Sequence, residues 1–559
     1  MMAGVLSGVV AAKSGPPAPF FVVQPSVSPT NGATGQTFTA TPGTVANGSI
    51  TSRTWLLNGS PLSSGLTATP SSGGSLTYQE FAGIVASNLI TATVAAIPAL
   101  PANIAWRANA FSTSAADGAA IPVPVVTGGT NLAGTYGSAK FVANAVNGLP
   151  GIRADGNALH AIPRSGNAAY YAGQDAQNWT MHILFTNTPT QDPLNVFLQI
   201  NDAKDALVKL GRSAGREDTI GARVGSVATI SAHSVDAGPH VLTIRSTTAS
   251  VTSGIGQTSA GNTLVALDGL PIGMYVGTMP KPGDGSGGGV SYLFGQNGGY
   301  ALYATTTTVV DMLVYNEVHT LGQIWDAAKA LRYSAGVGMA SKILMVPGSS
   351  LKQGSGADSL AFSVVPEILR QCNLPFGSVG AFALGGIDFG GMNQMGPELD
   401  GLLARVGAAN CYLLAGEGYN ALLGSVTAAQ AAASFVAYLT ARKDAGWLPA
   451  NMFLDTITGV STARQGYEKY PDYVTAVKAI PANNPALAAA RVINTAGVYS
   501  DNASEIRVGF DGSNNPYNIH LVDGVHMSGK INYATTDSGY PYQVDKVFKA
   551  PIGALALGG

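Results

Sequence analysis

The sequence predicts a multidomain chain: two β-rich domains in series, then an α/β domain built on a parallel sheet. Three observations carry this. At 559 residues the chain is too long for one hydrophobic core. From Phe20 to about Ala99, short runs of alternating polar and apolar residues recur between turn clusters every ~8–12 residues, the pattern of a β-sandwich. From about Ser341 onward, apolar strands alternate with helical patterns, and such alternation produces a parallel sheet with helices on both faces.

In chain order, residues 1–19 close on "SGPPAP", a proline-rich break. They lack a basic start and read as a docking arm or linker, with a signal peptide as the alternative. Residues 20–99 hold the runs "FFVVQPSV", "QTFTATPG", "SRTWLLNGSPL", "GSLTYQEF" and "NLITATVAAI". Trp55, ahead of the turn "NGS", stands where an immunoglobulin-like domain keeps its core Trp. The segment resembles the disulfide-free Ig-like modules of bacterial and phage surface proteins. "IPALPA" is the next linker. Residues 103–337 are again glycine-rich and β-rich, with strands read from "NGLPGIRADGNAL", "NWTMHILFTN", "GPHVLTIRST" and "TVVDMLVYNEVHT". The helical stretch "LGQIWDAAKALRYSAGV" follows. A "PGIRADG" strand near the start and a "DMLVYN" strand before a closing helix resemble concanavalin-A-like jelly rolls, a fold whose curved sheet often binds glycans. Residues 341–559 carry "KILMVPG", "LAFSVVPEILRQC", "GSVGAFALGG", "PELDGLLARVG", "ANCYLLAGEG", "AAQAAASFVAYLTARKDAG" and "ANMFLDTITG". About 220 residues suffice for an α/β core, so a fragment from Gly338 is expected to fold alone.

Composition narrows the function. Charged residues are 11% of the chain, against roughly 25% in an ordinary soluble domain. Glycine, at 71 residues, is nearly twice its usual share of roughly 7%. Small polar residues cover the surface in place of Lys and Glu, a habit of strand-and-turn proteins that work outside a cell or on a particle. The net charge of −2 steers nothing toward nucleic acid. No apolar run of about 18 residues exists, so no membrane insertion is expected. Two cysteines, Cys372 and Cys411, cannot build a disulfide framework and read as buried thiols.

The chemistry gathers at strand ends. "VPGSS" ends a strand in two adjacent hydroxyls, Ser349 and Ser350, which serve either as turn residues or as a nucleophile. A serine nucleophile needs an imidazole base, and the imidazole needs an orienting carboxylate. Of seven histidines only His520 and His526 fall in the α/β segment, with Asp523 between them. Asp523 precedes His526 by three residues, which lets the carboxylate reach Nδ1 while Nε2 faces elsewhere. A metal site of His520, Asp523 and His526 is the rival reading of the same stretch.

These blocks resemble the SGNH (GDSL-type) hydrolases over residues 341–559. "PGSSL" stands for the family's Gly-Asp-Ser-Leu and implies Ser350 as nucleophile. "FALGGIDFGG" matches the glycine block and implies Gly386 as a backbone oxyanion donor, with Gly385 as the alternative. "LLAGEGYNAL" matches the Gly-x-Asn block and gives Asn420 the side-chain oxyanion role. "DGVHMSGKINYA" matches the closing block and implies Asp523 and His526. The backbone N–H of Ser350 completes the oxyanion set. Glu417 and Tyr419 are expected on the substrate side, and Glu468 and Tyr470 in a loop that varies with substrate. Two positions depart from the family: Ser349 replaces the usual Asp, and Ala421 replaces an Asp after the block-three Asn.

The resemblance implies a serine esterase that needs neither cofactor nor metal. An Ig-like module, a jelly roll and an SGNH-like domain in one low-charge chain resemble a virion surface protein such as a phage fibre. The expected partners are a bacterial surface polysaccharide, deacetylated by the enzyme, and other virion structural proteins. Localisation is then virion surface or extracellular. A homo-oligomer stays open, since fibres are often trimeric but no coiled-coil heptad argues for one. The alternatives are a catalytically inactive glycan-binding adhesin and a secreted carbohydrate esterase.

Overall fold

A computed structural model describes residues 17–28, 30–97, 99–110, 125–127, 133–136, 140–153, 159–162, 177–187, 195–199, 206–213, 216–224, 233–234, 237–254, 258–279, 291–293, 307–353, 363–375, 377–417, 419–456, 467–496, 508–510, 516–518 and 543–557. The chain divides into two compact units, Met1–Ile97 with Tyr333–Gly338, and Pro98–Arg332 with Met339–Gly559. Among the described residues no helix is long and apolar enough to cross a membrane.

The first unit is a β-structure of two larger sheets and a small antiparallel pair, Phe20–Val23 with Thr44–Ala46. One sheet runs Asn31–Ala33, Ile90–Ala95, Gly74–Ala82, Ser52–Leu57, Ser60–Ser63, and the other holds Ser26–Ser28, Phe38–Thr41 and Thr67–Ala68. Alternation along Gly74–Ala82 buries Leu76 and Tyr78, and they meet Phe38 and Trp55 in one core. The Trp55 ring lies 4.5 Å from that of Tyr78, and its indole N–H donates to the Gly65 carbonyl at 3.0 Å.

The middle β-rich segment forms two large antiparallel sheets and a small pair, Val251–Thr252 with Thr258–Ser259. The larger places Thr308–Tyr315 at its centre, between Ile104–Ala110 and Trp179–Asn187, and continues through Gly238–Thr247, Asn262–Leu267 and Leu270–Val276. Two fully buried imidazoles meet at it, His182 on the strand Trp179–Asn187 and His319 in the connection after Thr308–Tyr315. His182 Nε2 lies 3.0 Å from His319 Nδ1, and His182 Nδ1 lies 2.8 Å from Thr243 Oγ1. Burial, and then the neighbouring His319, hold the His182 pKa well below the ordinary imidazole value. Burial, with Arg245 adding to it, lowers His319 to about 4.

The α/β segment has five parallel strands: β1 (Ile343–Gly348), β2 (Val379–Ala383), β3 (Cys411–Ala415), β4 (Met452–Asp455) and β5 (Arg491–Ile493), in the order β2-β1-β3-β4-β5. Successive side chains on a strand point to opposite faces. Ile343 and Met345, Leu413 and Ala415, and Met452 and Leu454 therefore enter one core, while Leu344, Val346, Leu414 and Phe453 enter the other. Both faces are covered by helices. On the first face lie Phe389–Val406, Ala428–Asp444 and Tyr470–Lys478, and on the second lies Val364–Gln371.

The first of these cores does not stop at the α/β segment. Leu264, Ala266, Leu270 and Met274 of the middle sheet belong to it, as do Leu321, Ile324 and Trp325 of the helix Leu321–Ser334. Buried Arg245 of the middle sheet also pairs with Glu398 of Phe389–Val406. The boundary expected between 337 and 341 thus runs through one continuous core. A fragment from Gly338 would leave behind residues that line this core, because periodicity shows which face of a strand is apolar but not what covers it.

Candidate functional site

In a sheet ordered β2-β1-β3-β4-β5, the chain leaves β1 toward β2 on one side and enters β3 on the other. The connections diverge there and leave a crevice at the carboxyl ends of β1 and β3. The described parts of the first three sequence blocks follow β1, β2 and β3.

Block one is the end of β1. Gly348 closes the strand, Ser349 is buried, and half-exposed Ser350 opens the short helix Ser350–Gln353. A Cβ at Gly348 would lie 2.4 Å from Lys352 Cγ, so only glycine lets Lys352 fold back beneath the turn. Lys352 is buried and pairs with buried Asp455 at the end of β4, and Asp455 also accepts from the Thr495 hydroxyl. The ammonium also lies 5.1 Å from the centre of the Phe548 ring. The serine turn thus rests on an ion pair that is both hydrogen-bonded and shielded from water.

Block two is the turn after β2. Gly386 has φ +80°, the left-handed region that glycine enters without strain. Next to it, Asp388 caps Phe389–Val406, its Oδ1 accepting from Gly390 N–H at 2.9 Å and Gly391 N–H at 3.2 Å. The same oxygen accepts from Gly254 N–H at 2.7 Å. Gly254 comes from the middle β-rich segment, so that segment braces the glycine block.

Block three follows β3. Asn420 Nδ2 donates to the Ile387 carbonyl at 2.9 Å, joining the asparagine loop to the glycine loop. An amide nitrogen has two protons, so one remains for an oxyanion. Glu417, expected on the substrate side, is fully buried instead. Its carboxylate accepts from the Ser349 hydroxyl and from Asn420 N–H, the latter at 2.9 Å, and its carbonyl accepts from the Tyr473 hydroxyl. Tyr419 is partly exposed beside it. Burial, with Glu417 and then Asp455 adding, pushes the Tyr473 phenol well above its ordinary pKa. Tyr470, expected in a substrate loop, is buried in the core, whereas Glu468 is exposed.

Sequence reasoning missed the roles of Lys352, Asp455, Thr495 and Tyr473. A Lys two residues after the serine and an Asp closing the fourth strand are signals that can be read, but their pairing spans 103 residues. Asp523, His526 and His520 lie outside the described residues, so the base, its orienting acid and the rival metal set have no structural account. Among the described residues no group of three or more His, Cys, Asp or Glu is placed to hold a metal ion. Cys411 is buried and free, its thiol raised by burial to about 12, and Cys372 is free and half-buried.

No protein-family model matches the chain, and no curated protein matches it. Among solved structures it is similar to a lipolytic protein of the G-D-S-L family from Veillonella parvula, at 14% identity over 37% of this chain and 98% of that one, with a TM-score of 0.28. It is similar to a GDSL-like lipase from Bacteroides thetaiotaomicron, at 13% identity over 38% of this chain and 89% of that one, with a TM-score of 0.26. It is also similar to a sialidase from Trypanosoma rangeli, at 14% identity over 46% of this chain and 43% of that one, with a TM-score of 0.27. Scores this low leave the functional reading to the residues themselves.

Proposed function

We propose that the chain is a serine ester hydrolase of the SGNH type, and that it removes O-acetyl groups from a bacterial surface glycan. The observation that carries this reading is the bridge between the β1 and β3 ends. Ser349 and Asn420 meet on one carboxylate, while Asn420 reaches across to the glycine loop at Ile387. Nucleophile block, glycine block and asparagine block are thereby tied together at the crevice of the sheet.

In this reading Ser350 Oγ attacks the ester carbonyl and His526 takes its proton, with Asp523 holding the imidazole tautomer. The N–H groups of Ser350 and Gly386 and the free amide proton of Asn420 stabilise the oxyanion. Each such donor is worth about 10²–10³ in rate. His526 returns the proton to the leaving sugar oxygen, and water then releases acetate from Ser350. Tyr419, partly exposed at the start of the asparagine loop, is the proposed contact with the glycan. The low-charge, glycine-rich composition supports a site of action on a virion or outside a cell, with other virion proteins as partners.

The test is acetate release by the full chain from a chromogenic acetyl ester and from an O-acetylated bacterial polysaccharide. Turnover that disappears in Ser350→Ala supports the reading. Turnover that survives in Ser350→Ala overturns the assignment of the nucleophile. A wild type that binds the polysaccharide but releases no acetate is the adhesin.

A further inference from the structure

We infer that Glu417 is a positioning residue that holds the nucleophile turn and the oxyanion asparagine at a fixed separation. The inference rests on the esterase reading and goes beyond it, because that reading needs only Ser350 and Asn420 near one another and does not say what keeps them there.

Three contacts converge on this one side chain and its backbone. One carboxylate oxygen accepts from the Ser349 hydroxyl, immediately before Ser350. The other accepts from the backbone N–H of Asn420. The Glu417 carbonyl accepts from Tyr473, which fixes the residue against the helix Tyr470–Lys478. Both Glu417 and Ser349 are buried, at 0% and 1% exposure, so water cannot replace either partner. A buried carboxylate without its donors is costly, and the structure gives this one donors from both catalytic loops. A shift of either loop breaks one of those bonds. The catalytic consequence is specific: Glu417 touches no reacting atom, yet it sets the position of Ser350 Oγ relative to the Asn420 amide. Oxyanion stabilisation requires donors held in place before the reaction. Loss of Glu417 therefore lowers kcat and leaves KM nearly unchanged.

The contact has a donor end and an acceptor end, which can be exchanged. Ser349→Asp alone brings two carboxylates together in a buried space, where like charges disfavour each other. Adding Glu417→Ser removes the clash. A serine at position 417 can donate its hydroxyl proton to the carboxylate introduced at position 349 and accept from the N–H three residues on, as a helix N-cap serine does.

The experiment measures kcat, KM and melting temperature for the full chain with an acetyl ester. Active sites are counted with a fluorophosphonate that labels a reactive serine. The variants are Glu417→Gln, Glu417→Ala, Ser349→Asp, Ser349→Asp/Glu417→Ser and the longer Ser349→Glu/Glu417→Ser. We expect Glu417→Ala to lose about 10²-fold in kcat per labelled site with KM within about twofold, comparable to the loss of an oxyanion donor. Glu417→Gln, which keeps one acceptor, loses less, and its pH–rate profile keeps the wild-type shape because Glu417 transfers no proton. Exchange across the contact recovers at least about tenfold in kcat over Ser349→Asp, the size of one hydrogen bond to a charged group. If Glu417→Ala does not fold, the Gln variant and the two exchanges carry the test. Wild-type kcat per site in Glu417→Gln and no recovery on exchange would overturn the inference. A wild type inert to both ester and phosphonate would overturn the esterase reading instead. Melting temperatures then decide the pairing: Ser349→Asp should melt well below wild type and the exchange should regain the loss, and a Ser349→Asp that melts like wild type overturns it.

Discussion

Cutting the chain just before the α/β segment tests the shared core directly. A fragment of residues 339–559 keeps every strand of the parallel sheet but loses Leu264, Leu270, Met274, Leu321, Ile324 and Trp325, each 4% exposed or less. Fully burying a large apolar side chain is worth about 1.5–3 kcal/mol. These six sum to roughly 9–18 kcal/mol, and if half of that burial is against the α/β segment, roughly 5–9 kcal/mol is lost. A folded domain has only about 5–15 kcal/mol in total. Loss of the Arg245–Glu398 pair adds little, because Glu398 is 31% exposed and becomes hydrated. The assay compares residues 98–559 with 339–559 by size-exclusion chromatography, binding of a hydrophobic dye, and thermal melting. We expect 98–559 to be compact and dye-silent. We expect 339–559 to aggregate or bind dye, or to melt at least about 10 °C lower, at about 2–4 °C per kcal/mol for a domain of this size. A fragment that is monodisperse, dye-silent and melts within about 3 °C of 98–559 would refute the reasoning.

Other outcomes are as definite. Ser350→Ala should abolish ester hydrolysis with melting unchanged, whereas Ser349→Ala should keep measurable turnover but lose about 1–3 kcal/mol of stability, because it strips a donor from a buried carboxylate. Dead Ser349→Ala with active Ser350→Ala would mean that the nucleophile is misassigned. Asp523→Asn should cost up to about 10⁴ in rate while His520→Ala is mild, and chelators should have no effect. Equal damage from both histidines together with chelator sensitivity would favour the metal reading. Stability should also fall below neutral pH. The folded-state pKa values of His182 and His319 are depressed, so their neutral forms contribute stability that is fully present above the unfolded value near 6.5. For His319 that contribution is lost as pH falls from there toward about 4. Melting temperatures measured across that range should drop, and a His182→Gln/His319→Gln variant should drop less. Parallel curves would contradict this.

Local pattern made the elements legible and left their partners hidden. "GPHVLTIRST" reads as a strand and runs Gly238–Thr247, and "LGQIWDAAKALRYSAGV" contains the helix Leu321–Ser334. In both, apolar spacing is a property of neighbouring residues. Ser350, Gly386 and Asn420, singled out by the resemblance, each lie just past a strand or in the turn that follows it. Glu417 could not be read correctly. Its acidic side chain between two glycines looks solvent-facing, and a donor that helps make its burial tolerable is a hydroxyl 68 residues earlier. Tyr470 shows the same limit: a Tyr in a polar loop sequence looks available, but the α/β core takes it in. The union of the middle sheet with the α/β segment was invisible for a related reason, since Leu264 and Ala266 would read the same with any apolar cover.

The junction between the middle β-sheet and the α/β segment also bears on how such a gene can be rearranged. Recombination shuffles coding segments cleanly only where the break leaves no orphaned surface on either product. A crossover near residue 97 cuts neither the Trp55 core nor the core shared by the middle sheet and the α/β segment. A crossover near residue 338 would strand Leu270 and Trp325 on one descendant and Phe389 and Met392 on the other. Chimeras assembled at the first position should be recovered readily in a library, and those at the second only when both halves come from the same parent. Sequence divergence in the middle sheet is then constrained by the helix Phe389–Val406, and the two must drift together.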